Sequence, residues 1–449
     1  VPDRVGTPSL LSPANFDQNT TSPSIMQILP GFRDFYPLDM AKRNYLFSTL
    51  RRVVLSYGFV EVDGPTLEST DLYKRKGGGE LMGQLYQFMD KGGREVTIRP
   101  EMTLTVARMA ARSEKHYRKP MKWFSIGSFF RHERQQKGRL REFSQLNCDL
   151  IGEASFAADA ELLALVIDCL RAFGLGPHDF VVRLSNRTAW LRFCQERGVR
   201  VDQMEEFLQE VDRMERYPMG ETAKKFAKFG VSLREVHDFV ESKDSTHFSE
   251  VLDELSARGL SEYVEVDLGI VRGLLYYTGT VFEVFDQKKC LRAIAGGGRY
   301  DQLISSVSNG RVILPAIGFG IGDVVLGELI ETVPVAAEKM HTALASQPGC
   351  EVFVVIAEEN RRKQALRLVQ LLREEGKSVD FSLGVIRIEK QFRRAQQLRA
   401  QYLVVVGREW PQVKFQRSAF HEASVCSYEK LAEHLKTDHP VAPNEVSNL

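Results

Sequence analysis

Residues 131–143 read Arg131-His132-Glu133-Arg134-Gln135-Gln136-Lys137-Gly138-Arg139-Leu140-Arg141-Glu142-Phe143, five cationic side chains and two carboxylates in one short polar stretch. Guanidinium groups suit anions because their planar fork matches phosphate and stays charged at any working pH. The runs on either side, from Trp123 to Phe130 and from Phe143 to Ile151, have the alternation and aromatic content of strands. An Arg-rich loop between two strands is either a solvated hairpin tip or a platform that aims cations at a bound anion. The second reading is favoured because Arg131 and Glu133 sit at the strand end beside Phe129 and Phe130, where a charge needs a partner.

Three further segments have residue types that could hold a ligand. Arg99-Pro100-Glu101-Met102-Thr103 ends a strand at Pro and presents a carboxylate and a hydroxyl at a helix start, which suits an ammonium group or merely an acidic first turn. Val271-Arg272-Gly273-Leu274-Leu275-Tyr276-Tyr277-Thr278-Gly279 brackets one Arg with glycines and tyrosines. The run Gly296-Gly297-Gly298-Arg299 is open to close approach by a phosphate or an adenine, but lacks the spacing of the phosphate-binding loop or the dinucleotide fingerprint. The nine histidines are dispersed without metal-ligand spacing, and neither H-E-x-x-H nor G-x-S-x-G occurs. A protein-built metal cage or an acyl-enzyme serine is therefore not expected.

The elements that must position these groups follow from periodicity. A helix is expected from about Asp39 to Ser56, capped at Gly58, then a strand from Phe59 to Asp63. Glu95–Arg99 reads as a strand, Thr103–Arg112 as a helix, Ala157–Phe173 as a long helix and Phe180–Leu184 as a strand. Residues 188–260 read as an inserted helical subdomain. Strands return at Tyr263–Leu268 and Thr280–Phe285, and Ala316–Gly322 leads into a helix from Asp323. These divisions give a flexible tail over 1–24, a main domain over 25–333, a linker over 334–349, an α/β domain with a mostly parallel sheet over 350–437 and a C-terminal tail over 438–449.

With 449 residues, 43% hydrophobic content and a net charge of +1, no global field draws the chain to a polyanion. The last domain differs: residues 361–400 have eleven Lys/Arg against four Asp/Glu, a local net charge of +7. Six scattered cysteines without a C-x-x-C pair suggest reduced thiols in the cytoplasm. No run of the sequence has the length of a membrane span, and no secretory signal pattern opens it.

Taken in order from about Leu29 to Leu435, these segments resemble histidyl-tRNA synthetase, a family of class II aminoacyl-tRNA synthetases. Leu29-Pro30-Gly31-Phe32-Arg33-Asp34 looks like the family's opening turn, and the helix through Pro65 is similar to motif 1, the dimer-forming element. Phe130–Arg134 through Phe143–Gln145 resembles motif 2. Arg272–Tyr277 and Gly297–Asp301 resemble the histidine-specific motifs. The resemblance implies an α+β fold: an antiparallel-sheet catalytic domain with a helical insertion, and an α/β anticodon-binding domain. It also implies a homodimer that joins histidine to tRNA(His) through a histidyl-adenylate, with ATP as substrate and Mg²⁺ on its outer phosphates.

By motif position, Arg131 and Arg272 are the implied catalytic residues, and Glu133 and Arg139 help them bind ATP. Glu101, Thr103 and Gln145 are implied to hold the α-amino group of histidine, and Asp149 and Tyr277 the two imidazole nitrogens, with Tyr276 in the same pocket. Three positions depart from the family pattern. Val325 stands where motif 3 has an ATP-clamping Arg, Leu275 replaces an Asp, and Asp149 replaces a longer Glu. Arg299 and Arg311 are the candidates to supply the missing cation. The alternative function is a catalytically altered paralogue, acting as a histidine-sensing regulatory subunit or an RNA-binding protein.

Overall fold

The computed structural model describes residues 26–74, 81–133, 138–214, 217–272, 276–346, 349–417 and 423–437. Both expected tails, Arg134–Lys137 of the cationic loop and Gly273–Leu275, including the Leu275 departure, lie outside the described residues. The chain divides into two compact units, 1–340 and 341–449.

In the first unit the apolar spacing of Leu46, Phe47, Leu50 and Val54 yields the helix Pro37–Ser56, which buries all four. Pro37 opens it where a missing N–H costs nothing, and Gly58 in the left-handed region (φ +75°) closes it by donating to the Leu55 carbonyl. Strand β1 (Val60–Glu61) follows. β2 (Leu67–Ser69), β3 (Tyr86–Met89) and β4 (Glu95–Ile98) form a small sheet in the order β2-β4-β3. The remaining strands of this unit are β5 (Met121–Phe130), β6 (Glu142–Ile151), β7 (Phe180–Asn186), β8 (Val264–Val266), β9 (Thr280–Asp286), β10 (Ala295–Arg299) and β11 (Ala316–Gly322). With β1 they make an eight-stranded sheet in the order β1-β5-β6-β11-β10-β9-β7-β8. Neighbours are antiparallel except at the edges, where β1 runs parallel to β5 and β8 parallel to β7.

Two helical layers fix this sheet. The helix Phe156–Arg171 lacks a polar stripe over most of its length, and residues 162–167 are fully buried in consequence. Between β7 and β8 run the helices Arg187–Glu196, Met204–Arg213, Met219–Ala227, Leu233–Glu241 and Ser249–Ala257. The first four enclose an aromatic core of Trp190, Phe193, Phe207, Phe226 and Phe229, Trp190 Nε1 donating to the Leu268 carbonyl at 2.8 Å, while the fifth packs on the helix Phe156–Arg171. Val271, one residue before Arg272, is buried in that same core.

Residues 334–349, expected as a linker, are largely folded: Pro334–Ala345 is a helix that buries Ala336 and Met340. In the second unit β12 (Val352–Ile356), β13 (Val379–Phe381), β14 (Tyr402–Val406), β15 (Gln412–Arg417) and β16 (Ser424–Ser427) pair in the order β13-β12-β14-β15-β16. The expectation of a mostly parallel sheet is corrected to a mixed one. β12 is parallel to β13 and β14, while β15 adds antiparallel pairings to β14 and β16. β15 is amphipathic, burying Val413 and Phe415 between polar residues, and the sequence reading passed over it.

Candidate active site

Side chains two apart on a strand share a face, so Phe143, Gln145, Asn147 and Asp149 of β6 stand on one side of the large sheet. Their Cα partners on β11 are glycines: Gly322 opposite Gln145, Gly320 opposite Asn147 and Gly318 opposite Asp149. The next strand continues the pattern, with Gly320 opposite Gly296 and Gly318 opposite Gly298. The middle of the sheet is therefore a trough without side chains, flanked by the polar row of β6. The trough is already shaped around specific groups. A Cβ on Gly296 would collide with the Arg272 guanidinium, one on Gly318 with the Asp149 carboxylate, and one on Gly298 with the Thr280 carbonyl and the Tyr277 ring. The openness of residues 296–299, read from sequence as room for a phosphate or an adenine, is taken up largely by the protein's own side chains. Residues 296–299 are part of a strand, and its glycines make room for Arg272 and Tyr277.

A cavity of about 660 Å³ lies over this floor, and Glu101, Thr103, Arg131, Glu133, Arg139, Gln145, Arg272, Tyr276 and Tyr277 all line it. Arg131 leaves the end of β5, donates from Nε to the Pro100 carbonyl at 3.0 Å and rests its guanidinium 5.5 Å from the Phe143 ring. Arg272 comes from the other side. Its backbone is left-handed (φ +54°), a strained conformation for a side chain of this size. Arg187 Nη1 donates to the Val271 and Arg272 carbonyls, each at 3.4 Å, and so holds that backbone in place. The Arg272 side chain donates from Nη1 to the Phe282 carbonyl at 3.2 Å and lies 3.8 Å from the Glu283 carboxylate.

Between the two arginines Glu101 is buried, one carboxylate oxygen accepting from the Tyr276 hydroxyl at 3.1 Å and the other without a hydrogen-bond partner. Burial raises its pKa, and the Arg131 charge, the Tyr276 hydroxyl and the Arg272 charge oppose the rise in that order. An unpartnered carboxylate oxygen in a polar cavity is a receptor for a donor such as an ammonium group. The buried Asn147 carboxamide nitrogen, also lining the cavity, likewise has no partner. At the outer end Glu133 and Arg139 form an ion pair at 2.7 Å.

Asp149 lies behind this wall, against Gly318, and accepts a hydrogen bond from the Tyr300 hydroxyl. Burial pushes its pKa up to about 7, against the pull of that hydroxyl, with the Glu101 charge adding to the rise. Among the lining residues that the sequence reading gave no role are Asn147 and Arg292, and Tyr300 entered it only as part of the Gly297–Asp301 motif. Two-residue alternation from Gln145 to Asp149 signals Asn147. Nothing local signals the other two, since both reach the site through strand pairing.

Neither proposed substitute for a cation at position 325 lines the cavity. Arg299 is buried in ion pairs with Asp159 and Asp301 and donates to the Glu153 and Ser155 carbonyls. Arg311 is exposed. Among the described residues no group of three His, Cys, Asp or Glu side chains is placed to hold a metal ion.

A family model described as histidyl-tRNA synthetase matches residues 31–322, and one described as an anticodon binding domain matches residues 351–437. The chain is 41% identical over 406 residues to a histidine–tRNA ligase of Opitutus terrae, spanning 85% of this chain and 90% of that relative. It is 35% identical over 400 residues to a chloroplastic/mitochondrial histidine–tRNA ligase of Arabidopsis thaliana, spanning 85% and 80%. Among solved structures, apo histidyl-tRNA synthetase of S. aureus superposes with a TM-score of 0.69 at 24% identity, over 92% of this chain and all of that one, a likeness of fold.

Proposed function

The chain belongs to the histidyl-tRNA synthetase family, and from that premise we propose how its residues divide the work of a histidine–tRNA ligase. Histidine's carboxylate oxygen attacks the α-phosphorus of ATP, the bond to the β-phosphate oxygen breaks, and pyrophosphate leaves. The ribose 3′-hydroxyl of the tRNA end then attacks the carbonyl of histidyl-adenylate, the bond from that carbon to the phosphate oxygen breaks, and AMP leaves as the hydroxyl proton passes to solvent. Both steps build negative charge on the α-phosphate, so catalysis is positioning plus charge stabilisation.

Arg131 holds the α-phosphate beside the histidine carboxylate, and Arg272 stabilises the charge that grows on that phosphate. Glu101, with Thr103 and Gln145, receives the α-amino group; its unpartnered oxygen supports this role. Tyr277 recognises one end of the imidazole, and Asp149, behind the wall, acts on the other end through the Tyr300 hydroxyl that lines the cavity, with Tyr276 orienting Glu101. Glu133 and Arg139 exchange their mutual ion pair for contacts with ATP. The outer phosphates of ATP would bring Mg²⁺ with them to the Glu133 end of the cavity, and the ion would there neutralise charge on the pyrophosphate that leaves. The donor set fits an ion carried by ATP, since the carboxylate at that end, Glu133, is paired with Arg139.

The single observation carrying this reading is that Arg131 and Arg272, far apart in the chain, line one cavity and both act electrostatically on Glu101. The tRNA is bound through the second unit, whose +7 segment and match to the anticodon-binding family support that role. The curated relatives bear the ligase's name, and the histidine-sensing alternative gains nothing from them. A homodimer is proposed as well, supported by exposed Tyr36 just before the first helix, Leu38 and Leu55 on it, and Val60 on the edge strand β1. Free thiols, five of the six buried, suit the cytoplasm.

The test is histidine-dependent pyrophosphate exchange, which the wild-type protein should catalyse. Arg272→Ala should lower turnover by about 100-fold or more, the scale for losing one transition-state donor, and leave histidine affinity within a few-fold. Absence of exchange overturns the enzymatic reading. A variant that loses histidine affinity alone overturns the role given to Arg272.

A further inference from the structure

Arg292 is assigned no role by the sequence motifs, yet it stands at the mouth of the cavity at a place where a cation is wanting. The β11-to-helix side of the cavity contributes Gly322, Asp323, Val324 and Val325 to the wall. None is cationic, and Asp323 is turned away into an ion pair with Arg33 at 2.7 Å. A Cβ built on Gly138, at the base of the motif 2 loop, would lie 3.4 Å from Arg292 Cδ and 3.5 Å from Val325 Cγ2. The stem of Arg292 and the Val325 side chain thus approach one point from opposite elements, and the guanidinium lies within a side chain's length of position 325.

The loop carrying Arg292 is set in advance. The buried Asp286 carboxylate accepts from the backbone N–H groups of Cys290 and Leu291, both at 2.9 Å. On the far side of the same loop Ile294 N–H donates to the Val284 carbonyl at 2.8 Å. Arg292 is exposed, so a nucleotide entering the cavity can reach it. Its neighbours on the cavity wall include Arg139 and Gly138 of the motif 2 loop, the end at which the ATP-binding residues gather.

We infer that Arg292, from the β9–β10 loop, is an ATP-binding residue that contacts the nucleotide's triphosphate and supplies the positive charge that Val325 cannot. The inference rests on the ligase reading above and goes further in naming this residue and its ligand. Valine at 325 then has its own logic, because an apolar side chain leaves the Arg292 stem room against Gly138. A second guanidinium there would crowd and repel the first.

Pyrophosphate exchange by the full chain, with ATP and histidine varied in turn, tests this. Arg292→Ala should raise the KM for ATP at least tenfold and leave the KM for histidine unchanged. Arg292→Lys should recover part of the loss, and Arg292→Ala combined with Val325→Arg should recover more by returning the charge from the helix side. Arg311→Ala serves as the control for loss of a cation elsewhere. Wild-type exchange together with an unchanged KM for ATP in Arg292→Ala overturns the inference and leaves the ligase reading standing. No exchange by the wild type overturns the ligase reading itself.

Discussion

Asp149 is a carboxylate lodged where water does not reach, and the consequences can be worked out with sign. Burial raises its pKa from the ordinary carboxylate range to about 7. Below the unfolded value both states hold the proton and the full contribution of the protonated group is present. As pH rises toward 7 the unfolded chain releases its proton while the folded chain keeps it, so stability from this group drains away and is lost above about 7. A shift of this size corresponds to at most about 4 kcal/mol. Asp149→Asn keeps an acceptor for the Tyr300 hydroxyl and cannot ionise. The melting temperature of wild type minus that of the variant should therefore fall between pH 5 and pH 8.5, and a difference flat across that range would remove Asp149 from this account. Arg131 and Glu101 were readable from sequence because they lie beside element ends, at the close of the Trp123–Phe130 run and just after Pro100, whereas Gln145, inside a strand, was implied only by the resemblance to motif 2. The partners of the site residues were not readable. Tyr300 reaches Asp149, and Gly296 clears space for Arg272, only after strands far apart in the chain have paired.

At the level of elements, the helical insertion has a function beyond filling space, since it sets the backbone of Arg272. That residue is left-handed, and such a conformation persists only where its surroundings over-determine it. Val271 is sunk in the insertion's aromatic core, and Arg187 clamps the two carbonyls that follow. Val271→Ala should therefore cost activity as well as stability. Val236→Ala is the comparison, since Val236 is buried in the same core with no link to Arg272. Each should destabilise by about 1–2 kcal/mol, but only Val271→Ala should lower turnover, by about tenfold, because a displaced guanidinium stabilises less charge. Equal turnover in the two variants would show that the insertion does not position Arg272. The insertion's helices were legible from their 3.6-residue pattern, as was the helix Pro37–Ser56. Strand β10 was not, because glycine carries no β-propensity and its strand character comes from Val281 to Val284 on one side and Ile317 to Ile321 on the other. The helix Pro334–Ala345 was missed for a related reason: alanine and proline in a weakly amphipathic stretch read as a linker until it packs.

For the whole molecule, two units with separate cores imply two tasks that can be damaged independently. The first unit's cavity is the one proposed for histidine and ATP, and the second unit has the charge suited to a phosphate backbone. The chain as a whole, at +1, would not reveal this, because acidic residues elsewhere cancel the +7 of residues 361–400. Within that segment the helix Ile388–Gln397 buries Gln391 and Ala395, so Lys390 and Arg393 project from its exposed side. Gln391 ties the helix to β12 by accepting from the Ile356 N–H and donating to the Ile356 carbonyl, at 2.9 and 3.0 Å, which gives those cations a fixed base. If they meet tRNA phosphates, each contact releases counterions, and the salt dependence of binding counts them. Lys390→Glu with Arg393→Glu should weaken tRNA binding about tenfold or more at moderate salt and flatten the slope of log affinity against log salt by about 0.7–0.9 per contact removed. Pyrophosphate exchange, which needs no tRNA, should be unchanged. Unaltered affinity and slope would place the RNA on another face of this unit. A loss of exchange alongside tRNA binding would mean that the two units do not divide the work, since positions 390 and 393 do not line the cavity proposed for ATP and histidine.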